Sequence, residues 1–173
     1  MTIRMSAILV PDLLSRFVTT TLTFEDLARL DGEELGSVTA PFASIGLSIK
    51  AVVQANANLN SNSRGVALKS KCSSDEASQH EIDLRFAKPQ GGFCFFYRVP
   101  RSTSLTVEVL DSHETMLEEN VFHDAEGYAG VIRARAEIGI VRIIARTEDQ
   151  GSSEDSFFYI DDLSFGRELK AVF

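Results

Sequence analysis

Two adjacent carboxylates near the end of the chain are the residues best suited to chemistry. Asp161 and Asp162 stand inside "SFFYIDDLSF", residues 156–165, an aromatic run typical of a buried strand. Burying an unpaired carboxylate is costly, so the pair must be solvated, hydrogen-bonded or bound to a cation. Carboxylate oxygens suit Ca²⁺, which takes about 6 to 8 oxygen ligands at flexible angles. The pattern therefore indicates either a calcium site or an acidic turn at a strand end.

Alternation along this strand ranks the two carboxylates as metal ligands. If Phe158 and Ile160 face the core, Asp162 faces it too and Asp161 faces outward, unless a bulge intervenes. An inward carboxylate needs a cation, an arginine or backbone donors to neutralise it. Asp162 is therefore the first candidate ligand and Asp161 the second.

A second candidate site lies on the aromatic segment "GGFCFFYRV", residues 91–99. Cys94, Phe96 and Arg98 share one face of this expected strand, and the odd-numbered aromatic residues share the other. A strand that is apolar on both faces is typical of a central position in a sheet. If the face of Phe96 and Arg98 is open, these two residues begin a ligand groove. If the N-terminal arm covers this face, they belong to the core. Sugar sites commonly stack on Trp or Tyr, and the absence of Trp disfavours a large stacking platform.

Two neighbouring expected strands carry a stripe of arginines. The segment "VIRARAEIGIVRIIAR", residues 131–146, contains Arg133, Arg135, Arg142 and Arg146. Such a stripe can bind a sugar acid through bidentate hydrogen bonds, or it can form cross-strand ion pairs with nearby glutamates. We take Arg133 and Arg135, together with Phe96 and Arg98, as the candidate ligand-binding residues.

Catalytic patterns are absent from the sequence. The histidines do not occur in HxH or HExxH spacing, and no GxSxG motif is present. Glycoside hydrolysis needs two carboxyls about 5 to 9 Å apart across a cleft. Spacing does not reveal such a pair among the acidic candidates, which are Asp83, Glu108, Glu118 and Glu119. We therefore predict a protein that is not an enzyme.

Period-two alternation of apolar residues dominates the chain and predicts strands. "HEIDLRF" (80–86) and "TSLTVEVL" (103–110) alternate cleanly, and short polar connections separate about ten such runs. This spacing predicts an all-β protein, a two-sheet antiparallel jelly-roll sandwich of about ten strands. Residues 1–18 are expected to form an N-terminal arm or short helix, residues 19–166 the sandwich, and residues 167–173 a C-terminal tail.

Charge and composition exclude several classes of partner. The 173 residues include 17 Lys and Arg against 25 Asp and Glu, a net charge of -8, which disfavours nucleic-acid binding. No stretch approaches the about 20 apolar residues of a membrane-spanning helix, so we expect no membrane partner. Cys72 and Cys94 permit one disulfide, although free thiols are the simpler interpretation. The first residues show no clear signal peptide, which favours a cytoplasmic location.

Four segments occur in an order that resembles a known family. They are "TLTFEDL" near the start, "HEIDLRFAKPQGGFCFFYRV" in the middle, "TSLTVEVLDSHETMLEENVF" after it, and "SFFYIDDLSF" at the end. Their order and spacing over residues 19 to 166 resemble the jelly-roll domains of the galactose-binding-like superfamily. Many carbohydrate-binding modules and uncharacterised exported bacterial proteins share that layout, in which the early strand and the last strand are neighbours.

The resemblance implies a structural calcium ion that joins the early strand to the last. The matching ligand positions are Glu25, Asp26, Asp161 and Asp162. It also implies a non-catalytic binding module with a saccharide as ligand, and the arginine stripe adds a sugar acid as a possible ligand. An extracellular or periplasmic location follows from the resemblance as well, against the cytoplasmic expectation above. The alternative is a structural or protein-interaction sandwich that forms homo-oligomers and binds no sugar.

Overall fold

The computed structural model describes residues 2–4, 17–36, 38–57, 59, 65–72, 79–147 and 157–169. This part of the chain contains thirteen strands and two short 3₁₀ helices, Glu25–Leu30 and Ala43–Ile45. Among the described residues, no helix has the length and apolar character needed to cross a bilayer. The prediction of an all-β sandwich is confirmed, and the strands outnumber the ten or so expected.

The strands are β1 (Thr2–Arg4), β2 (Phe17–Leu22), β3 (Glu34–Leu35), β4 (Leu47–Ala55), β5 (Val66–Lys69), β6 (Lys71–Cys72), β7 (Gln79–Gln90), β8 (Gly92–Arg98), β9 (Thr103–Leu110), β10 (Met116–Phe122), β11 (Glu126–Arg133), β12 (Ile138–Thr147) and β13 (Tyr159–Leu169).

Two layers share one strand. The first layer has the order β1-β11-β8-β13-β5-β4, and the second has the order β4-β7-β12-β9-β10. Three further strands lie beside these paths: β2 pairs with β13, β3 with β4, and β6 with β7. In β4, residues 47–50 pair with β7 and residues 52–55 pair with β5, so this strand passes from one layer to the other. The result is a continuous, nearly closed antiparallel sheet.

Inward side chains of the two layers form one core. In β9, Leu105, Val107 and Val109 are buried and alternate with half-buried Thr106 and Glu108, as the sequence predicted. Each fully buried side chain of this kind contributes about 1.5–3 kcal/mol, so the core is the main stabilising term. The core side chains from β7, β8 and β13 are Ile82, Leu84, Phe86, Phe93, Phe95, Tyr97, Ile160, Leu163 and Phe165.

The ends of the sandwich differ from the expected boundaries. Residues 2–4 form β1 and pair with β11, so the start of the chain adds a strand to the first layer. β13 pairs with β2 as far as Leu169, so the sheet extends beyond residue 166. The expected boundaries after residues 18 and 166 therefore fall inside β2 and β13. Residues 5–16 of the expected arm lie outside the described residues.

The early strand is shorter than the segment "TLTFEDL" indicated. β2 ends at Leu22, and Phe24 has a left-handed backbone with a φ of 64° immediately before the first 3₁₀ helix. Phe24 is buried, and its ring centroid lies 5.9 Å from that of Phe42, so core packing of this ring stabilises the turn. β2 nevertheless pairs with β13, with Leu22 opposite Leu163, so the early and last strands are neighbours as predicted.

The two cysteines are not joined by a disulfide. Cys72 is exposed at the end of β6, whereas Cys94 is buried in β8. Burial, with a smaller effect of the Asp162 carboxylate, raises the pKa of the Cys94 thiol to about 12. Cys94 is therefore protonated at neutral pH and is a poor nucleophile.

Candidate functional site

Where β13 begins, five residues on five neighbouring strands of the first layer lie directly opposite one another and form a row across the sheet. Residues directly opposite each other on antiparallel strands share a face of the sheet. Ile160 is fully buried in the core, so its neighbour Tyr159 and the residues opposite Tyr159 face outward. We call these residues the cross-strand row; from β4 to β11 they are Val52, Lys69, Tyr159, Arg98 and Glu126.

A groove of about 680 Å³ opens beside the cross-strand row. Its volume lies within the roughly 300–1,000 Å³ of typical small-ligand sites. Its aromatic lining residues are Phe157 and Tyr159, and its polar lining residues are Gln54, Asn56, Arg98, Arg101 and Glu126. The groove therefore places hydrogen-bonding groups beside two aromatic rings, which suits a ligand with both apolar and polar surfaces.

The Phe157 ring at the groove is held by two neighbours. The Lys69 ammonium lies 4.1 Å from the ring centroid, a cation–π contact. The His80 ring meets Phe157 edge-on, with 4.6 Å between the centroids. His80 is fully buried, and neither of its ring nitrogens has a hydrogen-bond partner among the described residues. Burial, followed by the Lys69 ammonium, lowers the pKa of His80 below 6.5, so the ring is neutral at pH 7.

Phe96 lies outside the groove. The next outward row of the first layer contains Asp161, Phe96 and Tyr128. Phe96 is buried, and its ring meets that of Tyr128 edge-on, with 5.3 Å between the centroids. On this face, Arg98 therefore lies at the groove, whereas Phe96 is buried.

A β-bulge in β13 changes the expected orientation of the acidic pair. Three steps separate Asp161 from Ser164, while their partners on β8 are two steps apart, so β13 contains one extra residue. Asp162 occupies this position with a left-handed φ of 49°. The inward orientation of Asp162 was expected only for a strand without a bulge, so it does not apply to this strand. Leu163 takes the inward position and packs in the core.

Both carboxylates of the pair accept hydrogen bonds. The backbone N–H of Asp162 donates to Asp161 Oδ1 at 2.8 Å, which satisfies an amide at the bulge. The Tyr128 hydroxyl donates to Asp162 Oδ2 at 3.3 Å. Burial, followed by the Asp162 carboxylate, raises the pKa of Tyr128 to about 12, so the hydroxyl keeps its proton. Asp161 and Asp162 are only 2% and 8% exposed, so these bonds offset part of the cost of burying two carboxylates.

The four carboxylates predicted to bind calcium do not form one cluster. Glu25 Oε1 lies 3.4 Å from the backbone nitrogen of Val66 in β5, and Asp26 is exposed in the first 3₁₀ helix. Within the described ranges, no group of three or more His, Cys, Asp or Glu side chains could hold a metal ion. The calcium ion predicted at Glu25, Asp26, Asp161 and Asp162 stays a prediction.

Ion pairs with glutamates account for part of the arginine stripe. Arg133 donates to Glu118 at 3.4 Å and to Glu137 at 2.5 Å. Arg142 donates to Glu108 at 3.4 Å. Pairing with glutamates, one of the two roles that the sequence left open, is therefore present for Arg133 and Arg142.

Arg133 and Arg135 do not lie at the groove. Glu126, which lines the groove, begins β11, and Arg133 ends the same strand. Arg133 is therefore about 23 Å from Glu126 along the strand, at about 3.3 Å per residue. Arg135 follows in the exposed turn after β11. Of the four residues predicted to bind a ligand, the structure brings Arg98 to the groove and places Phe96, Arg133 and Arg135 elsewhere.

The carboxylates considered for glycoside hydrolysis do not line the groove. Asp83 pairs with Arg85 at 3.1 Å, and Glu108 and Glu118 pair with the arginines described above. Among the described residues, the groove is lined by one carboxylate, that of Glu126. This lining does not contain the two facing carboxyls that the hydrolytic mechanism needs.

Most of the groove was missed by sequence reasoning. Asn56 and Arg101 lie in turns, Gln54 lies near the end of β4, and Phe157 precedes β13. The sequence did indicate that these residues lie at or next to strand ends. The ends of neighbouring antiparallel strands meet at the same edge of a sheet, so such residues can come together there. The segment "PRST" after β8 and the aromatic start of the last strand carry that signal.

Comparisons with known proteins find similar architectures. No protein-family model matches the chain, and no curated protein matches it. The K2 cleaved adhesin domain of Lys-gingipain is 11% identical with a TM-score of 0.49, over 87% of this chain and 99% of that one. An arabinose-bound GH51 α-L-arabinofuranosidase is 13% identical with a TM-score of 0.47, over 77% of this chain and 26% of that one. A family 29 carbohydrate-binding module is 11% identical with a TM-score of 0.37, over 58% of this chain and 70% of that one.

These similarities concern the β-sandwich fold and carry no information about a ligand of this chain. The membership in the galactose-binding-like superfamily that the sequence implied stays a prediction.

Replacing Asp161 by alanine is expected to destabilise the fold. The change leaves the buried N–H of Asp162 without its acceptor, which costs about 1–3 kcal/mol in the free energy of unfolding. Asp161→Asn is the matched control, because it keeps an acceptor oxygen, and we expect a smaller loss. Urea unfolding of the three proteins measures the difference. Equal stability of Asp161→Ala and the wild type would contradict the role of this bond.

The free energy of unfolding is expected to decrease as the pH falls through about 6.5. The pKa of His80 is lower in the folded protein than in the unfolded chain, so the unfolded chain binds more protons in this range and acid favours it. His80→Leu should remove this dependence, whereas His123→Gln at an exposed position should leave it in place. Urea unfolding between about pH 5 and pH 8 measures the slope. A slope that persists in His80→Leu would show that another group causes it.

Proposed function

We propose that this chain is a non-catalytic binding module that holds a saccharide in the groove beside the cross-strand row. The observation that carries the proposal is the lining, in which the rings of Phe157 and Tyr159 lie beside polar groups that include Gln54, Arg98 and Glu126. A pyranose has a face of C–H groups and a rim of hydroxyls, so it needs an aromatic ring to stack on and hydrogen-bonding groups at its edge. The groove supplies both kinds of group.

Rigid strands position the groups that would contact the sugar. Tyr159 begins β13 and lies opposite Arg98 on one side and Lys69 on the other. Its sequence neighbours Phe158 and Ile160 are fully buried, so core packing anchors the backbone at this point. An anchored backbone reduces the conformational freedom that is lost on binding, which favours recognition of a small ligand.

Binding to a glycan array tests the proposal. We expect retention of at least one class of saccharide, and we expect Tyr159→Ala to weaken that binding by about tenfold, or ~1.4 kcal/mol, because the stacking ring is lost. Met116→Ala is the matched control, since Met116 is an exposed apolar residue on β10 outside the groove. Failure to bind any saccharide, or equal binding by Tyr159→Ala and the wild type, would refute the proposal.

The alternative function is assembly through a sheet edge. β10 ends the path of strands in the second layer. Met116 and Val121 on this strand are 48% and 47% exposed. Apolar side chains on a terminal strand favour association with another chain. Light scattering separates the two functions: a stable oligomer without saccharide binding supports assembly, and a monomer that binds saccharides supports the groove.

A structural calcium ion near Glu25 and Asp162 is a separate proposal that rests on the family resemblance. The support for this ion is the pairing of β2 with β13, in which Leu22 lies opposite Leu163. Glu25 follows Leu22 closely in sequence, and Asp162 precedes Leu163. An ion present at about 100 times its dissociation constant stabilises a fold by ~2.7 kcal/mol. EGTA should then lower the melting temperature of the wild type but not that of Asp162→Ala. A melting temperature that EGTA leaves unchanged in the wild type would contradict the ion.

A further inference from the structure

The described charged residues at the groove are mostly cationic, although the protein is acidic. The chain has a net charge of -8, yet among the described residues the charged side chains that line the groove are those of Arg98, Arg101 and Glu126. A third cation, the Lys69 ammonium, lies over the ring of Phe157. Within the described part of the chain, these three cations outnumber the one carboxylate, and such an excess of positive charge raises the local concentration of anionic ligands.

Arg101 is the cation best placed to contact a ligand. It is exposed in the turn between β8 and β9, and it lines both the groove and a neighbouring cavity of about 170 Å³. Among the described residues, no carboxylate forms an ion pair with Arg101, whereas Arg85, Arg133 and Arg142 are all paired. As far as the described residues go, the Arg101 guanidinium is available to bind a ligand carboxylate through two parallel hydrogen bonds.

The cavity beyond Arg101 extends the polar surface. It is lined by hydroxyl-bearing residues and an exposed imidazole, those of Ser102, Thr103, Ser104 and His123. Hydroxyl and imidazole groups can each donate or accept a hydrogen bond. A saccharide longer than one unit can therefore continue past Arg101 over a surface suited to sugar hydroxyls.

We propose that the groove selects anionic saccharides, in which Arg101 binds the carboxylate of a uronic acid while the sugar ring stacks on Tyr159. This inference rests on the proposed saccharide binding and narrows its ligand class. Carboxylated and sulfated sugars share the negative charge that the groove attracts. The planar guanidinium fork matches the two coplanar oxygens of a carboxylate, and this geometry favours the uronic acid.

Pairs of oligosaccharides that differ only in charge test the inference. The probes are oligomers of galacturonic, glucuronic and mannuronic acid, each beside its methyl ester. Calorimetry at about 50 mM NaCl should show at least one acid oligomer binding to the wild type about tenfold more tightly than its ester. The difference should shrink at about 500 mM NaCl, because salt screens exposed charges.

Arg101→Gln should weaken binding of the acid oligomer about tenfold and leave binding of the ester unchanged. Arg135→Gln is the matched control, because it removes another exposed arginine at the far end of β11. It should leave both affinities unchanged. Both positions are exposed, so the two variants should melt at the wild-type temperature.

The possible results separate this inference from the function on which it rests. Equal affinity for acid and ester would overturn the inference and leave saccharide binding intact. A preference for sulfated over carboxylated oligosaccharides would overturn the choice of a carboxylate. Equal loss of acid binding in Arg101→Gln and Arg135→Gln would overturn the role of Arg101. Absence of binding to any acidic or neutral saccharide would overturn the proposed function and the inference with it.

Discussion

The hydrogen bond from the Asp162 N–H to Asp161 Oδ1 lies at the bulge that divides β13 into two halves. Odd- and even-numbered residues exchange their inward and outward directions between these halves. Ile160 faces the core before the bulge and Leu163 faces it afterwards, an odd separation that strict alternation forbids. The N–H of Asp162, the extra residue, is satisfied by Asp161 Oδ1. A shift of one residue inverts every side chain of a strand. Without the bulge, either the core packing of the second half or the outward direction of Tyr159 would be lost.

Local alternation predicted the sheets, because inward and outward positions can be read from neighbouring residues. β9 shows this clearly, with Leu105, Val107 and Val109 buried as expected. The bulge was not predictable in the same way, since Asp161 and Asp162 look alike in sequence whether or not β13 contains an extra residue. Only the register with β8 distinguishes the two cases. The early strand was predicted to be longer than it is for a related reason. Its end depends on a contact between Phe24 and Phe42, which are distant in sequence.

The sequence predicted a residue of the candidate site only on a strand and none in the connections between strands. Arg98 was recognised because it shares a face with Phe96 on a strand that is apolar on both sides. Arg101 and Phe157 come from different connections, and the pairing of β13 with β8 brings those connections together. Charge alone was a poor guide, since Arg133 carries the same side chain as Arg101 but binds Glu118 and Glu137. A sequence lists the charges of a surface, whereas the fold decides which of them neutralise each other.

The passage of β4 between layers limits how the molecule can move. Residues 47–50 are hydrogen-bonded in one layer and residues 52–55 in the other. Sliding one layer over the other would have to break hydrogen bonds along a single continuous strand, so shear between the layers is opposed. Gln54 of this strand lines the groove together with residues of β8, β11 and β13. The continuity of β4 therefore holds the strands that line the groove in a fixed register.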